Sequence, residues 1–166
     1  PMARRSRKKN PLTNLLEDLV KVSRRFGSDP THVVAGGGNT SVKQGNRMWI
    51  KASGVALATI DKEGFLELDI EPGLGLLERG NFSRDRDERE EEIAQVLLDS
   101  RIDPPDPNTR PSVESTLHAQ LPQAFVVHTH GELANGIACS REGQRAMARL
   151  SLPKRIKPIW IPYVDP

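Results

Sequence analysis

The sequence predicts an α/β fold, a sandwich in which a largely antiparallel sheet is covered by helices. Three observations lead there. Apolar residues recur at helical spacing in the stretches 11–26 and 83–100. Short runs of strand-type residues flank a tight turn, as in Ser41-Val42-Lys43 and Arg47-Met48-Trp49-Ile50 around Gln44-Gly45-Asn46. The two kinds of segment are mixed along a chain of 166 residues, the size of one domain with one core.

Residues 1–10 contain Arg4, Arg5, Arg7, Lys8 and Lys9 and read as a disordered basic tail, with the domain proper at 11–166. Those cations outweigh the net charge of +2, so the rest of the chain is mildly acidic. Aromatic residues make up only 4% of the chain, too few for a stacking platform, and no nucleic-acid partner is expected. No apolar stretch approaches the roughly 20 residues that span a bilayer, and the basic start is not followed by a secretory-type apolar region. The expectation is a cytoplasmic protein with no membrane partner. The single cysteine, Cys139, cannot form an internal disulfide and looks like a small buried position without a chemical role.

The first helix rests on Leu12, Leu15, Leu16, Leu19, Val20 and Val22, and Gly27 with Pro30 ends it. A strand is expected at 31–35, then the hairpin, then two extended pieces at 55–60 and 65–70 around Asp61-Lys62-Glu63-Gly64. Ser83 is the expected N-cap of the helix at 83–100, whose apolar stripe is Ile93, Val96 and Leu97. Its charge run from Arg84 to Glu92 alternates in sign and reads as a solvated face. Pro104, Pro105 and Pro107 stiffen a connector to a helix at 113–121, which Pro122 stops. A strand at 125–130, helices at 131–138 and 141–150, and a strand at 156–161 complete the pattern. The chain then runs straight off that strand through Pro162-Tyr163-Val164-Asp165-Pro166, which reads as a domain lacking its C-terminal part.

The chemistry begins with Phe125-Val126-Val127-His128-Thr129-His130. In a strand, residues two apart share a face, so His128 and His130 stand side by side while Thr129 points away. Two imidazoles so placed suit Zn²⁺ or another divalent metal ion. Glu114 in Pro111-Ser112-Val113-Glu114 is the candidate acid/base, with partial burial expected to raise its pKa into a working range. His118, one turn further on, reads as a packed, hydrogen-bonded residue, and His32 has a weaker claim still. Gly36-Gly37-Gly38-Asn39-Thr40-Ser41 allows a backbone to approach an anion closely. A second small loop, Lys51-Ala52-Ser53-Gly54, and Ser112 at a helix start complete a phosphate-type pocket.

The order Gly-Gly-Gly-Asn-Thr-Ser-Val-Lys at 36–43, Lys-Ala-Ser-Gly at 51–54, Pro-Ser-Val-Glu at 111–114 with His118, and Val-Val-His-Thr-His at 126–130 resembles the class II aldolase/adducin family. The similarity is closest to the aldolase half of rhamnulose-1-phosphate aldolase/dehydrogenase-like proteins and covers about residues 12–166. It implies a class II aldolase-like α/β/α sandwich with a mainly antiparallel central sheet. It also implies cleavage of a ketose 1-phosphate to dihydroxyacetone phosphate and an aldehyde, assisted by Zn²⁺ acting as a Lewis acid.

Carried over by position, Glu114 corresponds to the acid/base, His128 and His130 to two metal ligands, and Gly38, Asn39, Ser53, Gly54 and Ser112 to phosphate-binding positions. The resemblance implies a third histidine ligand in an Asn-His-Gly-type segment beyond Val164-Asp165-Pro166, and a homo-oligomer, typically a tetramer. Val113 departs from the Ser-Ser-Glu pattern of fuculose phosphate aldolases and leaves the sugar open. Within the family the alternatives are an epimerase or dehydratase, against which Glu114 in place of aspartate speaks, or an adducin-like assembly domain without metal chemistry.

Overall fold

A computed structural model describes residues 11–79 and 82–162. The basic stretch 1–10 and the closing residues 163–166 lie outside the described residues. Four strands form one antiparallel sheet: β1 (Asn39–Gln44), β2 (Arg47–Lys51), β3 (Phe65–Asp69) and β4 (Phe125–His128), in the order β3-β2-β1-β4. Among them run α1 (Pro11–Gly27), α2 (Ile70–Arg79), α3 (Arg86–Asp99), α4 (Ser115–Gln120), α5 (Glu132–Ala138) and α6 (Gly143–Ala148). The predicted antiparallel α/β architecture is therefore the observed one.

The sheet register separates two packing faces. Gln44 pairs with Arg47, so Gly45-Asn46 is a two-residue turn, and Gly45 takes the positive φ of +59° that such a turn favours. On one face Trp49, Val42 and Phe65 pack with Leu19 of α1 and Ile60. On the other, Met48, Ile50, Leu66 and Leu68 pack with Ile70 and Ala119, beneath α2 and α4. Asn39, Ser41, Val126 and His128 share that second face, because Asn39 is paired with His128 and Ser41 with Val126. The metal-type histidine thus emerges at one end of a hydrophobic floor. At Gly27, an added Cβ would lie 2.4–2.5 Å from Leu57 and Ala58, so only glycine lets α1 sit this close to that loop.

Several expectations fail for local reasons. Residues 31–35 form turns instead of a strand: Asp29 accepts the Thr31 N–H and hydroxyl, and its carbonyl takes the N–H groups of His32 and Val33. Donors satisfied so close at hand need no neighbouring strand. The segment 55–60 also turns, with Leu57 and Ile60 as buried plugs, and the Val55 carbonyl is taken by the Lys51 ammonium. Residues 156–161 pair with no strand among the described residues; the Ile156 N–H closes a turn on Pro153, and Pro158 has no donor to offer.

Helix α2 has no counterpart among the expected elements, which leave residues 71–82 unassigned. Pro72 falls in the first turn, where no intrahelical N–H bond is lost, and the Asp69 carboxylate accepts the Glu71 N–H. Asp85, not Ser83, caps α3, accepting the N–H groups of Asp87 and Glu88.

Among the described residues no helix is long and apolar enough to cross a membrane. Cys139 is exposed, contrary to expectation, because α5 contains no buried residue.

Candidate metal centre

The start of β1 shows how the site is braced. Asn39, Thr40 and Ser41 are all fully buried, and strand alternation sends them to opposite sides. The Thr40 hydroxyl meets Ser23 of α1 at 2.7 Å, whereas the Ser41 hydroxyl meets His118 Nδ1 of α4 at 2.8 Å. Lys43 ties the far end of α4 by donating to the carbonyls of His118 and Leu121. The glycine run therefore leads into a strand whose polar side chains hold one helix on each face. His118 is the packed, hydrogen-bonded residue anticipated, and burial lowers its pKa to about 4, keeping it neutral.

Glu114 stands at the N-cap position of the short α4, one residue ahead of the helix instead of inside its first turn as a helix at 113–121 would place it, and its side chain caps nothing. It turns instead toward the sheet. Its Oε2 lies 3.4 Å from His128 Nδ1, its Oε1 lies 3.6 Å from His130 Nε2, and Asn39 Nδ2 donates to Oε2 at 3.4 Å. One ligand atom from each of Glu114, His128 and His130 falls within 4.8 Å of the others. The two imidazole centroids are 4.9 Å apart, so the side-by-side placement holds even though β4 ends at His128 and His130 lies just past it.

Glu114 and His128 are tied by charge rather than by an aligned hydrogen bond, for His128 Nδ1 is buried with no hydrogen-bond partner among the described residues. That attraction reverses the expected direction of the Glu114 shift. The His128 imidazole holds the carboxyl down to about 2, against the upward push of burial, and Asn39 and His130 add to the effect. Reciprocally, Glu114 raises the His128 pKa above its ordinary 6.5.

The depressed Glu114 stabilises the fold above its ordinary value of 4.5 and loses that contribution as pH falls toward 2; the raised His128 contributes below 6.5 and loses its part as pH climbs through its raised value. The pair is at full strength between 4.5 and 6.5. An NMR titration of the His128 ring is expected to show a midpoint above 6.5 that falls in Glu114→Gln. An unchanged midpoint would assign the shift to another group.

The donor set fits a divalent cation. Two neutral imidazoles and one carboxylate are the ligand types of zinc-like sites, and a buried ring nitrogen without a partner is an atom that needs one. Gly37 keeps the space open: a Cβ there would lie 2.8 Å from His130 Nδ1 and 3.1 Å from the Val34 carbonyl. Gly37→Ala is therefore expected to push the His130 ring aside and weaken Zn²⁺ binding by about tenfold to a hundredfold. Competition with a chromogenic chelator reads this directly, and undiminished affinity would show that the ring needs no such clearance.

The predicted phosphate-type residues fall into two groups. Ala52 and Pro111 form an isolated antiparallel bridge, and the Ser53 N–H donates to the Arg110 carbonyl at 2.9 Å, which brings the Ser53-Gly54 turn beside Ser112. Gly54 has φ +81°, and both Ser53 and Gly54 are exposed. The Ser112 hydroxyl accepts the Glu114 N–H at 3.3 Å. Gly38 and Asn39 lie instead beside β4: Gly38, with φ +78°, packs against the His128 carbonyl, and Asn39 uses both ends of its amide, on Glu114 and on the Thr40 N–H.

Sequence reasoning missed two residues here. Lys51, which opens the Lys-Ala-Ser-Gly segment but has no role of its own in the sequence reading, is buried with its pKa lowered by desolvation, opposed by Glu114. Gly37 was legible only as part of a glycine run. His32 is remote in role, paired with Asp29 at 3.1 Å.

A family model described as the class II aldolase and adducin N-terminal domain matches residues 17–164. Among curated proteins, the uncharacterized oxidoreductase YuxG of Bacillus subtilis (strain 168) is 35% identical over 160 residues, covering 91% of this chain and 22% of that protein. The chain thus spans only 22% of that relative's length. Among solved structures, the N-terminal class II aldolase domain of a conserved protein from Thermoplasma acidophilum superposes with a TM-score of 0.68 at 30% identity, over 90% of this chain and 69% of that one.

Proposed function

Since the chain belongs to the class II aldolase and adducin N-terminal domain family, we propose that it cleaves a ketose 1-phosphate to dihydroxyacetone phosphate and an aldehyde at the Glu114–His128–His130 cluster. The observation that carries this reading is the convergence of one carboxylate and two imidazoles, from separate elements, within 4.8 Å. His128 and His130 would hold the divalent ion, with Zn²⁺ favoured by the nitrogen donors. Bound there, the ion supplies Lewis-acid polarisation of the substrate's carbonyl and hydroxyl oxygens.

The protein's own residues do the rest. In the cleavage direction the C3–C4 bond breaks and C4 leaves as the aldehyde carbon, its hydroxyl proton lost. C3 keeps the electron pair and takes up a proton, so the proton count is unchanged. Glu114, ionised because its carboxyl is held down to about 2, takes up the C4 hydroxyl proton and passes it to C3, and the order reverses in the condensation direction. Asn39 orients the carboxylate by donating to Oε2. Ser53, Gly54 and Ser112, with the Gly38 backbone, hold the phosphate and so set the reacting carbons relative to Glu114. The reading includes a cytoplasmic homo-oligomer, whose mass sedimentation would report.

The test is a panel of ketose 1-phosphates incubated with the Zn²⁺-loaded chain, following dihydroxyacetone phosphate release. Release from at least one of them is expected. Conversion of a sugar phosphate to its epimer without carbon–carbon cleavage would replace the lyase reading, and no turnover of any of them would remove it.

A further inference from the structure

A bound phosphate ester carries close to two negative charges, and the hydroxyls of Ser53 and Ser112 with the Gly54 N–H do not neutralise them. Most cations near that turn are already committed. Lys51 donates to the carbonyls of Ala52 and Val55. Arg101 spends its guanidinium on the carbonyls of Leu98, Pro107 and Thr109.

Arg110 differs. It is exposed, and its guanidinium makes no hydrogen bond or ion pair among the described residues. With Ser53, Gly54, Asp106, Asn108 and Thr109 it lines a groove of about 460 Å³. The backbone bearing it is fixed from several sides: Arg101 clamps the Pro107 and Thr109 carbonyls at 2.8 and 2.7 Å, the Thr109 N–H bonds to Asp106 at 3.0 Å, and the Arg110 carbonyl accepts the Ser53 N–H at 2.9 Å. Asp106, the one acid lining the groove, has its Oδ1 engaged by the Asn108 N–H at 2.9 Å and is not paired with Arg110.

We propose that Arg110 is the cationic contact for the substrate's phosphate, the side chain by which this site selects phosphorylated over unphosphorylated ketoses. A planar guanidinium presents parallel N–H donors that match two phosphate oxygens, and a preorganised loop keeps the ordering cost of that contact low. The proposal rests on the reading of Ser53, Gly54 and Ser112 as the phosphate pocket. It adds a residue that no backbone motif marks.

The experiment is isothermal titration of the full chain with inorganic phosphate, comparing wild type, Arg110→Gln and Ser53→Ala. Arg110→Gln is expected to weaken phosphate binding by about tenfold to a hundredfold, the range of a charge-assisted hydrogen-bonded contact. Because the bond to Ser53 comes from the Arg110 main chain, the substituted protein should melt like wild type, and Arg110→Ala serves as the second variant if the glutamine form folds poorly. Wild-type affinity in the Arg110 variants together with weakened binding in Ser53→Ala would overturn the role of Arg110 and leave the pocket standing. No phosphate binding by wild type would remove the pocket and the proposal together.

Discussion

Glutamine at position 114 is expected to cut release of dihydroxyacetone phosphate by about a hundredfold to ten-thousandfold, the usual contribution of a positioned acid/base, while a divalent ion remains bound. The substitution keeps the shape of the side chain and an oxygen for the Asn39 amide to reach, but removes the ionisable oxygen. It also removes the charge that keeps His128 protonated above its ordinary range, so the imidazole becomes easier to load with metal at neutral pH. Turnover and metal affinity should therefore move independently, or in opposite directions. Single-turnover release measured alongside the visible spectrum of the Co²⁺-substituted protein separates them. If the spectrum and the metal content collapse with activity, Glu114 is a ligand and the proton carrier lies elsewhere.

The second large effect concerns the imidazoles. His128→Ala and His130→Ala are each expected to weaken Zn²⁺ binding by more than about a hundredfold, since loss of a direct ligand exceeds the tenfold to hundredfold cost of losing an outer partner. The two substitutions should differ in their side effects. His128 sits in β4, paired with Asn39, and is the main influence holding the Glu114 carboxyl down, so its loss lets that pKa rise. His130 lies past the strand end, more exposed at 39% against 27%, and its removal should leave Glu114 closer to its present state. Chelator competition on both variants and on the double variant gives the affinities. Unaltered Zn²⁺ binding in the double variant would place the metal away from this cluster.

Much of the fold was legible because its signals are local. The helical spacing of Leu12 to Val22, the Gly45-Asn46 turn between β1 and β2, and the strand-type run at Phe125 to His128 each follow from side chains a few residues apart. Where the reading failed, the deciding partner was a local bond that composition hides or a distant chain that the sequence does not name. Residues 31–35 look extended, yet Asp29 holds them in turns; α2 was not anticipated, and its Pro72 occupies the one turn that tolerates it.

The candidate ligands follow the same division. Alternation along the strand-type run suggested that His128 and His130 lie together, which they do although β4 ends at His128, and their chemistry suggested a metal. The direction of the Glu114 shift was not available from the sequence, because it depends on a 3.4 Å approach between residues on different elements.

The sequence by itself determined the class of fold and singled out Glu114, His128 and His130 as candidates, since periodicity and side-chain type are properties of short stretches. Only the tertiary structure decided that Asn39 orients Glu114, that Gly37 makes room for His130, that Ser41 braces His118 and that Arg110 is left unpaired beside Ser53. Those outcomes depend on register and packing between segments far apart in the chain, where electrostatic and steric effects act over a few ångströms of space whatever the separation in sequence.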